Sequence, residues 1–294
     1  MTDNAKNVPV LMYHHVHPLK SPLNVQPDVF ERQLQALKQG GYRTLTIEQF
    51  ADYMNGKPVP DKSILITFDD GYLNNYTYAY PLLQKYGMTG VLFVVTGWVG
   101  EGEPRLTSAD GPSDALPASY VHEESKHLVA SGETDKVILR WSELQQMDAS
   151  GVMQIHSHTH THTRWDKVSP DREQKIEKIS EELAQCRRLL AERLGKQDDF
   201  LCWPQGFFDE DYKQAARVAG YRYFFTTDAY GFNKPMGDKE NIYRIAVSNR
   251  SGKWLLNRLF YARDTVAGRL YGKFKKWKKQ RREARKKALE NQKS

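Results

Sequence analysis

Cysteine is scarce in this chain. Its 294 residues hold two, Cys186 and Cys202, at a spacing that suits neither a zinc knot nor a disulfide framework. A small stapled domain is thereby excluded, and the low usage agrees with a reducing compartment. Long apolar runs are missing too; none approaches the roughly 20 residues that cross a bilayer. The first residues, Met1 to Asn7, run into a strand without an apolar signal region, so the chain is expected in the cytoplasm. There is no internal repeat and no nucleic-acid-binding motif, so nucleic acid is not an expected partner. What is present is a core: 39% of residues are hydrophobic, with 12 Phe, 16 Tyr and 6 Trp, too many for a disordered chain.

The formal net charge of +7 conceals an asymmetry. Residues 253–294 carry 15 Lys/Arg against 3 Asp/Glu, and the remainder 28 against 33, so an acidic body bears a basic tail. The chain divides accordingly into a folded body at 1–252 and a basic segment at 253–294. In that segment Leu255, Leu259, Ala262, Val266, Leu270, Phe274 and Trp277 recur at steps of three and four, with lysines and arginines crowding the far half. The pattern reads as a basic amphipathic helix attracted to anionic lipid, which places the chain peripherally at the inner membrane.

Strand and helix signals alternate along the body. Val8–Tyr13 reads as a strand that ends in His14-His15-Val16-His17, and Pro27 to Gly40 has a helical period through Phe30, Leu34 and Leu37. Ile64 to Thr67 is a buried strand, Asn74 to Tyr86 a helix and Val91 to Val95 a strand. Periodicity then disappears, and about 96–137 reads as an inserted loop over the active face. Val152 to Ile155 is a strand, and a long helix with Pro170 at its first position ends at Gly195. Phe200–Trp203, Tyr223–Thr226 and Ile242–Val247 are further strands. Such alternation argues a parallel α/β sheet or barrel.

Two stretches carry chemistry. Thr67-Phe68-Asp69-Asp70-Gly71 puts two carboxylates at a strand end, where they repel unless a cation or proton lies nearby. Ser157-His158-Thr159-His160-Thr161-His162 completes a run in which four of the nine histidines fall within seven residues. On a helical turn, His158 and His162 share a face and could grip one metal ion with Asp70. His156 and His160 have the same spacing, so periodicity alone does not choose the pair. Trp98, Trp141 and Trp203 are candidates for a flat surface on which a sugar ring stacks.

Together these stretches resemble the first two motifs of the NodB-type polysaccharide deacetylases, carbohydrate esterase family 4. The resemblance runs from about Val8 to Val247 and implies a deformed (β/α) barrel. It implies Asp70, His158 and His162 as ligands of a divalent ion, Zn in the first place with Ni or Co as alternatives, and Asp69 as general base. The third motif of that family, Arg-x-Pro-Tyr, is altered here to Cys202-Trp203-Pro204-Gln205. Gln205 N–H would then stabilise the oxyanion, Trp203, Pro204 and Arg244 would contact the substrate, and the lost arginine's hold on the base aspartate would come from elsewhere, with Arg244 the candidate. No histidine follows His162 to act as acid. Tyr13-His14-His15-Val16 resembles the opening of the subset that deacetylates biofilm poly-N-acetylglucosamine, which implies His14 as the acid, with His15 or His17 behind it.

The implied activity is hydrolysis of N-acetyl groups on amino sugars of an envelope glycan, such as a lipopolysaccharide core or a lipid-linked sugar. The alternatives are a metal hydrolase of another acyl or amide substrate, and a non-catalytic glycan-binding module on the same scaffold.

Overall fold

The structure is a computed structural model. It describes residues 4–263 and, beyond them, positions 266, 268, 270, 273, 277 and 281. The chain opens with β1 (Val10–Tyr13), β2 (His15–Val16) and β3 (Asn24–Val25). Helix α1 (Pro27–Gln39), β4 (Arg43–Thr44), α2 (Ile47–Met54) and β5 (Ser63–Phe68) follow. A π-helical turn at Asn75–Ala79 leads into α3 (Tyr80–Tyr86), then β6 (Gly90–Val94), α4 (His122–Ala130), α5 (Trp141–Ala149) and β7 (Met153–Ser157). The rest is α6 (Trp165–Val168), α7 (Arg172–Leu194), β8 (Phe200–Cys202), α8 (Glu210–Ala219), β9 (Tyr223–Phe225), β10 (Ile245–Ala246) and α9 (Gly252–Arg263).

The main sheet runs β10-β1-β5-β6-β7-β8-β9, with β4 also on β5, and every pairing is parallel. It curls back on itself. Ile242 bridges Phe225 at the end of β9, while three residues on, Ile245 pairs with Leu11 of β1. This is the deformed (β/α) barrel. Because side chains alternate along a strand, each one feeds two cores. Leu11, Tyr13, Ile64, Ile66, Phe68, Leu92 and Val94 face the outer helices, whereas Val10, Leu65, Val91, Phe93 and Phe225 fill the other side with Phe50 and Tyr53 of α2.

Several boundaries differ from the sequence reading, each for a local reason. Helix α7 starts at Arg172, because the Asp171 side chain caps it by accepting from Gln174 N at 2.8 Å; Pro170 lies outside. Asp171→Ala is expected to cost about 1 kcal/mol, read as a lower melting temperature. The segment read as a loop over 96–137 contains α4, whose first turn holds Glu123 and Glu124 and which buries only Ser125. Its apolar period is too weak to see in sequence. The expected strand at Ile242–Val247 is reduced to β10 plus the bridge at Ile242.

The basic tail begins as α9, which lies against α1. Leu255 and Leu259, both members of the expected lipid-facing stripe, are buried in the body. The fit is close: a Cβ on Gly252 would stand 2.4 Å from Ala36 Cβ. Of the rest of that stripe, Ala262 packs on the body, Val266, Leu270 and Trp277 are exposed, and Phe274 lies outside the described residues. Among the described residues, no helix is long and apolar enough to cross a membrane.

Candidate active site

Parallel pairing brings the C-terminal ends of β1, β5, β6, β7 and β8 to one rim, and the residues that follow each end meet there. His14 follows β1, Asp69 and Asp70 follow β5, Trp98 lies beyond β6, His158 to His162 follow β7, and Gln205 lies beyond β8. They surround a cleft of about 670 Å³ that is also walled by Tyr72 and by His122 and Lys126 of α4. Five residues here hold positive φ without being glycine: Leu23 (61°), Asp70 (78°), Thr159 (65°), His162 (62°) and Gln205 (55°). Side chains other than glycine adopt that conformation reluctantly, so the surrounding packing holds strain at the rim.

The two adjacent carboxylates part company. Asp69 turns inward to Arg244, which donates from Nη1 to Oδ1 at 2.6 Å and from Nη2 to Oδ2 at 2.9 Å. Burial pushes the Asp69 carboxyl up most strongly, but the charge and hydrogen bonds of Arg244, together with His14 and His158, outweigh it and hold the group below the usual carboxylate range. Arg244 is itself fixed by Thr226 O at 2.8 Å and Thr67 Oγ1 at 3.2 Å, and Cys202 Sγ lies 3.0 Å from its Nη2. Asp70 turns to the histidines instead. Its Oδ1 lies 3.3 Å from His158 Nε2 and 3.6 Å from His162 Nε2. Burial opposes ionisation of Asp70 as well, and the hydrogen bond from His158 with the charge of His162 reverses it, leaving the carboxyl far below its ordinary range.

The histidines meet by a different route from the one their spacing suggests. Residues 158–162 form no helix; the positive φ of Thr159 and of His162 folds the chain back, and the two rings stand 4.9 Å apart, edge to face. His156 and His160 point elsewhere. His156 Nδ1 lies 2.8 Å from Asp198 Oδ1 in the core, and His160 Nδ1 lies 3.0 Å from Thr96 Oγ1.

One oxygen or nitrogen from each of Asp70, His158 and His162 lies within 4.8 Å of the others. His158 Nδ1 donates to Cys202 O at 2.7 Å, so Nε2 is the atom that faces Asp70, where it donates to the carboxylate and, once deprotonated, would offer its lone pair to an ion. Two imidazole nitrogens and a carboxylate, one ring fixed by a backbone carbonyl, fit a divalent transition ion.

The other expected residues fall as follows. His14, partly exposed on the cleft, has its Nε2 3.9 Å from Asp69 Oδ2. Gln205 sits in a tight turn, Pro204–Gly206, on the rim, and its N–H makes no hydrogen bond beyond that turn among the described residues. Three expected substrate contacts need correction. Trp203 borders the cleft but is fully buried, its ring packed against Phe208, Tyr212 and Phe224, so no ring face is open to a sugar. Pro204 is buried in the turn and shapes it rather than lining the cleft. Arg244 is fully buried behind Asp69, where it orients that residue instead of touching substrate. Of the other two tryptophans, Trp141 is buried, while half-buried Trp98 lies on the cleft with its ring 5.5 Å from that of His162. His122 escaped the sequence reading altogether. A lone histidine in a segment without period carries no signal until the fold places it.

Known proteins share this sequence pattern and fold. The polysaccharide deacetylase family profile matches residues 56–224. YxkH of Bacillus subtilis is 27% identical over 248 residues, which cover 84% of this chain and 74% of that protein. A poly-β-1,6-N-acetyl-D-glucosamine N-deacetylase of Staphylococcus aureus is 25% identical over 240 residues, covering 80% and 71%. Among solved structures, IcaB of Ammonifex degensii superposes with a TM-score of 0.67 at 26% identity, over 86% of this chain and 97% of that one. With the family profile covering more than half of its residues, the chain belongs to the polysaccharide deacetylases.

Proposed function

We propose that this chain is a metal-dependent N-deacetylase of an N-acetylglucosamine-type envelope glycan. The observation that carries the reading is the meeting of the Asp70, His158 and His162 donor atoms with Asp69 alongside, at the floor of one cleft. Those three side chains would hold the ion, Zn in the first place. The chemistry such an ion supplies when bound is Lewis acidity toward a carbonyl and toward water.

The protein's own groups do the rest. Asp69, ionised and oriented by Arg244, takes the proton of the attacking water. Gln205 N–H donates to the oxygen on which charge develops. His14, on the cleft beside Asp69, hands a proton to the departing amine. Trp98 is the aromatic face on which a pyranose ring would stack. The named activity of the Staphylococcus aureus relative supports N-acetylglucosamine as the sugar. The basic tail supports a substrate at an anionic surface, a lipopolysaccharide core or a lipid-linked sugar.

The test is acetate release, paired with metal analysis, on a β-1,6-linked N-acetylglucosamine oligomer. One free amine is expected for each acetate, with activity lost to a chelator and restored by Zn, Ni or Co. His158→Ala is expected to lose both ion and turnover. An ion-loaded protein that releases no acetate from this oligomer or from chitin oligomers would overturn the reading.

A further inference from the structure

Next to the metal-ligating side of the cleft stands a chain of hydrogen bonds that the reaction as described does not use. It begins with Asn74. The Asn74 Oδ1 accepts from the backbone N–H of Val16 at 2.9 Å, and a backbone N–H can only donate, so the amide is oriented without ambiguity. Asn74 Nδ2 therefore donates to His15 Nδ1, 2.9 Å away. With Nδ1 accepting, His15 carries its proton on Nε2 and donates it to His122 Nδ1 at 3.0 Å. With that nitrogen accepting in turn, His122 bears its proton on Nε2. That atom has no hydrogen-bond partner among the described residues, and His122 lines the cleft.

We propose that His122 is a glycan-binding residue, its ring fixed by Asn74 and His15 so that Nε2–H is presented as a donor to an acceptor oxygen of the bound sugar. The proposal rests on the reading of this cleft as the glycan site. Three further observations support it. The His15 ring is pinned by stacking on Tyr72, with centroids 3.9 Å apart, so the chain has a rigid middle. Burial, reinforced by neighbouring histidines, keeps both His15 and His122 below the ordinary imidazole range, so each holds a single proton at neutral pH. Finally, His122 opens α4 and shares that helix with Lys126, another cleft residue, so one helix supplies both side chains to this wall of the cleft. A donor whose direction is fixed in advance loses little freedom on binding, which is how a buried polar network acquires selectivity.

The experiment uses the ion-loaded full chain and the β-1,6-linked N-acetylglucosamine pentamer. His122→Ala is expected to raise KM about tenfold with kcat within about threefold, the signature of a lost binding contact. His122→Gln, which keeps an N–H donor, should recover most of that loss. His15→Phe preserves the stacking on Tyr72 but removes the donor that orients His122. Its KM should rise less, and the double variant should be no worse than His122→Ala alone. Nitrogen NMR of the imidazoles in the free protein should show His15 protonated at Nε2.

A KM unchanged within twofold in His122→Ala, or His15 protonated at Nδ1, would overturn the proposal while leaving the deacetylase intact. A wild-type protein that neither binds nor hydrolyses the pentamer would refute the glycan assignment, and this inference with it.

Discussion

Asp69→Asn is expected to lower kcat about a thousandfold while the ion stays bound. Asparagine has the same shape but cannot take a proton, and general-base catalysis contributes roughly 10²–10⁴-fold. The ion is retained because Asp70, His158 and His162, not Asp69, carry the converging trio of donor atoms. A second effect accompanies the first. Arg244 is fully buried, and its cation would lose its counter-charge, although the asparagine oxygen still accepts one of its two hydrogen bonds. The variant should therefore melt below wild type as well as turn over more slowly. A kcat within tenfold of wild type, with the ion bound, would remove Asp69 from the role of base.

Arg244→Met is expected to be more damaging to the fold and nearly as damaging to activity. Removing one partner of a buried ion pair leaves the other uncompensated, typically at a cost of about 3–5 kcal/mol. Thr226 O and Thr67 Oγ1 lose a donor at the same time. The pH dependence should shift in a defined direction. In the wild type the guanidinium holds the Asp69 carboxyl below its ordinary range against burial, so the pair stabilises the fold above the unfolded-state pKa and is lost as pH falls through the lower folded-state value. Without Arg244, only His14 and His158 remain to oppose burial and the carboxyl rises, so the acid limb of kcat/KM should move to higher pH. Arg244→Lys keeps the charge but not the paired donation and should fall in between. Denaturant unfolding and a pH–rate profile read both effects. An acid limb that stays in place would show that Arg244 does not set the ionisation of Asp69.

Some of this was legible in the chain and some was not, for identifiable reasons. The paired aspartates after an apolar strand and the histidine run after another are local patterns, and parallel pairing of β5 through β6 to β7 carries both to one rim. The need of two adjacent carboxylates for positive partners was likewise readable, and each found its own. The histidine geometry was not readable, because sequence spacing suggests a helical turn whereas the backbone uses positive φ at Thr159 and His162. Nor was the fate of Trp203, since whether an aromatic ring is a surface or a core residue depends on Phe208, Tyr212 and Phe224, two of them from other elements. His122 and α4 were hidden because a helix with mostly polar residues, beside a wide cleft, has no apolar stripe to announce it.

The place of Cys202 beside Arg244 also bears on how such sites diverge. Cys202 Sγ lies 3.0 Å from Arg244 Nη2 and 3.8 Å from Asp69 Oδ1, at the position where the family motif would carry an arginine. One carboxylate can satisfy one guanidinium in that space. A lineage that gained the second arginine before losing the first would force two cations together, and one that lost the first before gaining the second would strand a buried anion. Either intermediate is less stable than both end points. The two arrangements are therefore separated by a valley, and position 202 is predicted to covary with position 244 as an exchange of which strand supplies the cation.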